Sequence, residues 1–315
     1  MTNREDNMKV AVIGLGTMGM GAARNLLAKG HQVIGCDVRE SARAALAEAG
    51  GMTATSPAGL AEAEAVLVLV VNAAQEEEVL FGPQGCAPHL ARGSVVICSS
   101  TVAPAFARAM EERLSQAGLL MLDAPVSGGR AGAEAGTMTV MGSGAPAAFD
   151  RAKPVLDAIA GTVFRLGDQA GIGSTVKMVN QLLAGVHIAA AAEALALGIR
   201  AGADPRTLYE VISASAGSSW MWQNRVPHIL AGDDRPLSAA NIFVKDLGIV
   251  LDEARALSFP LPLASCAHQL FLATAAAGLG GKDDSSVIRV WQALTGIALP
   301  ERGDDGMAPT ARDSG

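Results

Sequence analysis

The chain has 315 residues, half of them hydrophobic, with a formal net charge of -7 and a mean hydropathy of +0.30. That is enough chain for two domains with cores of their own, and too apolar a composition for a disordered or fibrous protein. The acidic balance excludes a basic surface broad enough to neutralise a nucleic-acid backbone, so no nucleic-acid partner is expected and an anionic ligand must be met by local donors.

Residues 1–7 are polar, with no apolar segment following a basic one. No secretion signal is read there, and a short disordered start and a cytoplasmic location are expected. Residues 8–13 are apolar and β-branched, followed by Gly14-Leu15-Gly16-Thr17-Met18-Gly19 and a helical pattern through Leu27. A strand, a glycine turn and a helix in that order form a dinucleotide-binding pattern. Gly14 permits the tight turn, Gly16 lets the backbone approach a pyrophosphate, and Gly19 lets helix and strand pack closely. The helix amino terminus then faces the phosphates. A second strand, residues 32–36, ends at Asp37, where a carboxylate meets the adenosine ribose hydroxyls and repels the extra phosphate of NADP. NAD is therefore the expected cofactor, although Arg39 two residues on softens that rejection.

Further strands are expected at residues 65–71, 94–98 and 119–122, separated by helix-compatible stretches such as 104–117. This alternation implies a mostly parallel sheet covered by helices on both faces, with ligands beyond the carboxyl ends of the strands. Asn72 and Ser99-Ser100-Thr101 fall at such ends. Thr101 is either a neighbour of the nicotinamide or a cap for the helix near Pro104. Asp123-Ala124-Pro125-Val126-Ser127-Gly128-Gly129 follows another strand, and its Ser-Gly-Gly turn is either an ordinary loop or a concavity suited to a carboxylate. Residues 137–141 and 162–166 read as extra strands on either side of a helix at 149–159.

Gly171-Ile172-Gly173-Ser174-Thr175-Val176-Lys177-Met178-Val179-Asn180 marks a change of character. A Rossmann domain over residues 8–170 gives way to an all-α domain over 171–300, led by a long helix at 174–201 that Gly202 and Asp204-Pro205 stop. Helices follow around 206–215, 219–230, 243–258, 263–277 and 285–294, and the tail at 301–315 is expected to be disordered. The apolar run at 182–203 approaches a membrane span in length, but His187, Glu193 and Arg200 within it favour burial in the protein or in a subunit interface. No membrane partner is expected, and a homodimer or homotetramer is. Cys36, Cys86, Cys98 and Cys266 lack Cys-x-x-Cys spacing, so neither a metal nor a disulfide framework is expected.

Oxidising an alcohol with NAD requires a base for the hydroxyl proton and a donor for the developing oxyanion. A lysine supplies both if burial brings its pKa toward neutrality. Lys177, at a junction between domains, is the candidate, with Asn180 one turn along the same face. Taken alone, it reads as a solvated surface lysine. His187 shares the stripe but lies roughly 15 Å from Lys177 at helical rise, so it is expected in the core. Lys245-Asp246 reads alone as a helix-start acid beside a solvated lysine. Trp220 and Trp222 read as core residues or pocket lining.

Together these motifs resemble the β-hydroxyacid dehydrogenase family: residues 14–19 its cofactor motif, 123–129 its substrate motif, 171–180 its catalytic motif, and Lys245-Asp246-Leu247 its C-terminal one. The resemblance covers about residues 8–295. It implies NAD-dependent oxidation of a small anionic hydroxy acid, with Lys177 as general acid-base residue. It places Leu15, Thr17, Met18, Val70, Val71, Asn72, Thr101 and Lys245 at the cofactor with the glycines and Asp37. Ser127, Gly128, Gly129, Asn180 and Asp246 fall at the substrate. One departure is Cys98, where the family often has an aspartate. Related imine reductases and a non-catalytic NAD-binding protein are the readings of other classes.

Overall fold

The computed structural model describes residues 7–300, so the expectations of disorder for residues 1–6 and for the tail at 301–315 lie outside the described residues. The chain divides into two compact units, Met1–Met178 and Val179–Gly315. In chain order the first unit holds β1 (Lys9–Ile13), α1 (Thr17–Ala28), β2 (Gln32–Cys36), α2 (Glu40–Glu48), β3 (Met52–Ala54), β4 (Ala65–Val68), α3 (Ala73–Phe81), β5 (Val95–Cys98), α4 (Pro104–Gln116) and β6 (Leu120–Asp123). It continues with β7 (Val126–Ser127), α5 (Gly129–Ala135), β8 (Met138–Gly142), α6 (Pro146–Ile159), β9 (Ala160–Arg165) and the start of α7 (Ile172–Arg200).

Six strands form one sheet in the order β3-β2-β1-β4-β5-β6, every pair parallel. The strand sequences explain why. β1, β4 and β5 are continuous apolar runs, as strands covered on both faces must be. Their side chains alternate between two cores: Val10, Val12, Ala65, Leu67, Val95 and Ile97 lie in one, and Ala11, Ile13, Val66, Val68, Val96 and Cys98 in the other. Each fully buried Leu, Ile or Val contributes roughly 1.5–3 kcal/mol relative to exposure. The strand order reverses at β1, with β2 on one side and β4 on the other. That reversal opens a crevice at the carboxyl ends of these strands.

Residues 138–142 and 160–165 are strands, as their sequence implies, but they do not join the main sheet. With β7 they make a separate sheet in the order β7-β8-β9, antiparallel and then parallel. β4 ends at Val68 rather than Val71, because residues 69–72 turn into the start of α3.

The second unit contains the rest of α7, then α8 (Pro205–Ser213), α9 (Trp220–Leu230), α10 (Ala240–Ala256), α11 (Pro262–Thr274) and α12 (Ile288–Thr295). Its core holds Ile188, Leu195, Trp222, Val226, Leu247 and Phe271. Phe243 and Phe271 stack with ring centroids 5.1 Å apart. At Gly185 a side chain would come within 3.0 Å of Leu247 and Phe243, so the missing Cβ sets how closely α7 meets α10. Arg225 forms a buried two-pronged pair with Asp284 at 2.5 and 3.0 Å. Three expectations change here. His187 is only half-buried. Trp222 is a core residue while Trp220 is 62% exposed. Lys245-Asp246 lies in the second turn of α10 rather than at its start.

Candidate active site

At the carboxyl end of β1 the chain turns at Gly14, whose φ is +90° and whose missing Cβ would lie 2.6 Å from the Leu69 carbonyl oxygen. Gly16 is the N-cap of α1, in extended geometry and without a side-chain cap. Nothing lies within 4 Å of where its Cβ would be. A Cβ on Gly19 would run into the Gly14 carbonyl. The three glycines thus leave an open cradle in front of a helix start whose first N–H groups are uncapped, and this fits a dinucleotide pyrophosphate. Thr17 is exposed and Met18 half-buried beside the cradle, whereas the Leu15 side chain sits in the core.

The Leu15 N–H donates to Asp37 Oδ2 at 2.8 Å, tying the turn to the end of β2. Asp37 is held further by Arg39, whose Nε and Nη2 donate to Oδ1 and Oδ2 at 3.0 Å each. Burial works to raise the Asp37 pKa, but the hydrogen bonds from Arg39 and Leu15 outweigh it and hold the carboxyl below its usual range. The acid expected at the ribose is therefore an anion with a guanidinium already on it.

Beyond β4, Val70 is half-buried and Val71 is half-exposed. Asn72 caps α3 by accepting the Gln75 N–H at 2.9 Å. Beyond β5, Thr101 is half-buried. The N-cap of α4 is Ala103, which puts Thr101 two residues ahead of the cap position.

Asp123, at the end of β6, organises the start of the helix that carries Lys177. Its Oδ2 accepts N–H bonds from Gly171 at 2.8 Å and Ser174 at 2.9 Å, and the Ser143 hydroxyl at 3.1 Å. Its Oδ1 accepts the Ser174 hydroxyl at 2.7 Å. The Gly173 N–H in turn donates to Ser143 Oγ at 2.9 Å. A helix normally takes its cap from the residue before it. Here Gly171 has no side chain, its φ is +102°, and the cap comes from two other strands' ends. Burial pushes the Asp123 pKa up, against the pull of these donors. Three residues into the helix from Ser174 stands Lys177, 7% exposed. A lysine that buried is rare unless its amine is paired. Ser127 pairs with Thr139 across β7 and β8; Gly128 and Gly129 follow at φ +126° and +57°, both exposed. Their conformations are closed to most side chains.

In the second unit, the Asn180 amide donates to Gln181 Oε1 at 3.0 Å. Gln181 Nε2 donates to Asp246 Oδ2, and Lys245 Nζ pairs with Asp246 Oδ1 at 2.8 Å. Asn180, Lys245 and Asp246 are thus one polar cluster, joined by Gln181. Sequence reasoning missed Gln181, Ser174 and Ser143. For Ser174 a signal existed, a hydroxyl three residues from Lys177 at the helix start; for the other two only the fold brings the partners together.

Two family models match. That of the NAD binding domain of 6-phosphogluconate dehydrogenase covers residues 9–167. That of the NAD-binding domain of NADP-dependent 3-hydroxyisobutyrate dehydrogenase covers residues 171–291. The L-threonate dehydrogenase of Cupriavidus necator is 56% identical over 296 residues, 94% of this chain and 99% of its own. The chain belongs to the β-hydroxyacid dehydrogenase family. A second member, the L-threonate dehydrogenase of Escherichia coli K12, is 51% identical over 92% of this chain and 96% of its own. A Salmonella typhimurium crystal structure described as 3-hydroxyisobutyrate dehydrogenase has a TM-score of 0.86 and 50% identity, covering 90% of this chain and all of its own. As a β-hydroxyacid dehydrogenase the protein is an NAD-dependent oxidoreductase of CH–OH groups, and its substrate is a small hydroxy acid.

Proposed function

We propose that the substrate is L-threonate, oxidised at C2 to 2-dehydro-L-erythronate. The observation that carries this is the 56% identity, across nearly the whole of both chains, to the Cupriavidus necator enzyme of that name. NAD held at the Gly14–Gly19 turn and Asp37 would supply the hydride acceptor for the carbinol carbon. The neutral amine of Lys177 takes the hydroxyl proton as the C=O forms, then holds it as an ammonium that hydrogen-bonds the new carbonyl oxygen. The 7% exposure of Lys177 supports this, because water that competes for the proton is largely kept away. Asp123 and Ser174 position that helix turn. Ser127, Gly128, Gly129 and Asn180 offer a hydroxyl, unobstructed N–H groups and an amide to the carboxylate end of the substrate, and Asp246 joins them. Thr101 and Lys245 are assigned to the cofactor, with Val70, Val71 and Asn72 beside it.

The name of the Salmonella structure makes 3-hydroxyisobutyrate the competing substrate. A panel of four-carbon sugar acids, 3-hydroxyisobutyrate and tartronate semialdehyde, compared by kcat/KM with NAD and NADP, separates them. L-Threonate is expected to lead by at least about tenfold, since a pocket that hydrogen-bonds substrate hydroxyls rejects analogues lacking them. A lead for 3-hydroxyisobutyrate overturns the assignment. Lys177→Ala should lower kcat by about 10²–10⁴-fold while NADH binding, followed by its fluorescence, persists. Near-normal turnover in that variant removes Lys177 from the chemistry. Four unpaired cysteines support a reducing compartment and so the cytoplasm. The exposed apolar side chains of α7 support a homo-oligomer.

A further inference from the structure

Glu76 stands in the first turn of α3, in a run of three glutamates, where an acid is ordinarily a solvated complement to the helix dipole. It is instead completely buried, as is Leu80 one turn on. The inward face of α3 therefore presses a carboxyl against the carboxyl end of the sheet. The Cys98 thiol at the end of β5 and the Ser100 hydroxyl just beyond it act on it, as does the Asp123 carboxyl from β6, the strand on which Asp123 is the register partner of Cys98. Neither the hydroxyl nor the thiol closes a hydrogen bond of ordinary geometry. Both Glu76 oxygens, Ser99 Oγ and Ser100 Oγ are buried and lack partners among the described residues. Four such atoms at one strand end are unusual, because each costs its desolvation in full.

We propose that Glu76 is a positioning residue whose protonation sets the Ser99-Ser100-Thr101 turn and, through it, the balance between oxidised and reduced cofactor. When Glu76 carries its proton it is the donor toward Ser100 Oγ, and when ionised it is the acceptor for the Ser100 hydroxyl; closing either bond draws the two side chains together from the open geometry they hold here. The donor and acceptor exchange roles, and the Ser100 hydroxyl, next to Thr101, turns its proton with them. The ionised form also places a negative charge at the end of β5, where parallel sheets bind ligands. That charge favours the cationic nicotinamide of NAD⁺ over the neutral ring of NADH. Burial is the main force pushing the Glu76 pKa up, to about 7, so the switch falls in the working range of pH. The Cys98 thiol is pushed well up by its own burial and by Glu76, and remains an S–H throughout.

The proposal rests on the reading that Thr101 faces the cofactor, and the experiment separates the two. Dissociation constants of NAD⁺ and NADH are measured without substrate from pH 5.5 to 8.5 for the wild type, Glu76→Gln, Ser100→Ala and Thr101→Ala. As pH rises through about 7, the wild-type ratio Kd(NAD⁺)/Kd(NADH) is expected to fall by about fivefold, the effect of one added negative charge at some distance from the ring. In Glu76→Gln, which keeps the shape and stays neutral, the fall is expected to shrink to the part that Lys177 alone contributes. Ser100→Ala should move the midpoint upward, since it removes a donor to the ionised form, and it reports on the same switch if the Gln variant does not fold. A Glu76→Gln ratio that follows the wild type with pH overturns the proposal, as does a wild-type ratio that does not change. Thr101→Ala with unaltered affinities overturns the reading of the turn and the proposal with it. Weaker binding in Thr101→Ala beside a wild-type profile in Glu76→Gln overturns the proposal alone.

Discussion

Asp37 meets its ligand already engaged, and this bears on which dinucleotide the site accepts. Its two oxygens hold the Leu15 N–H and both arms of Arg39, while the Arg39 side chain remains more than half exposed. A ribose hydroxyl competes for the lone pairs that remain, but a 2′-phosphate finds a guanidinium within reach. Arg39→Ala is therefore expected to lower kcat/KM for NADP by about tenfold and to change that for NAD by less than about threefold, since only the phosphate loses a charge-assisted bond. Steady-state assays with both cofactors check this, and a gain in NADP use would show that Arg39 hinders the phosphate. Asp37 and Arg39 were legible as residues two apart at a strand end. Their mutual clamp was not, because it depends on side-chain rotamers that a sequence does not fix. Glu76 was less legible still: in a run of glutamates it reads as surface, and only the rotation of α3 turns it inward.

Among the elements, the start of α7 does most to place the proposed chemistry. Asp123, 48 and 51 residues before Gly171 and Ser174, provides the cap that Gly171 cannot. Gly173 is required in turn, because its Cβ would lie 2.9 Å from the Asp123 carbonyl oxygen. Asp123→Asn replaces one acceptor oxygen by an NH₂ that faces donors, and is expected to destabilise the protein by about 2–4 kcal/mol. It should also lower kcat by tenfold or more, since a shift of about 1 Å at Lys177 is enough for that. Urea unfolding and kcat measured on the same preparation test both; a loss of stability with unchanged kcat would make the cap structural only. The glycine-rich sequence at 171–173 reveals the helix boundary, but the cap comes from a strand end and so leaves no local trace. The same physics decided which elements were readable. β1, β4 and β5 announce themselves as apolar runs. β3 is a three-residue edge strand with its side chains largely outside the core, β7 is two residues long, and α5 carries two glycines in seven positions, so none has a pattern long enough to detect.

At the scale of the whole molecule, α7 poses the question of what covers it. It is long and apolar enough to cross a membrane, yet only 44% of its most apolar window is buried. Glu193 falls within the helix and Arg200 ends it, and a bilayer would have to accommodate them at a cost of roughly 2.5–3.5 kcal/mol for a charge at its centre. A protein surface would not. Val179, Leu183 and Leu197 are at least half exposed along the helix, and exposed apolar side chains repeating at helical spacing are most economically buried against a second copy. Sedimentation velocity at micromolar concentration is expected to give a dimer or tetramer. Leu183→Glu should shift the distribution toward monomer, because a carboxylate at the centre of an apolar interface must be desolvated without a partner. The Glu variant should keep its far-ultraviolet circular dichroism, since the side chain points away from its own core. A wild-type monomer at these concentrations, or a variant that assembles as the wild type does, would mean that this face of α7 is left to solvent.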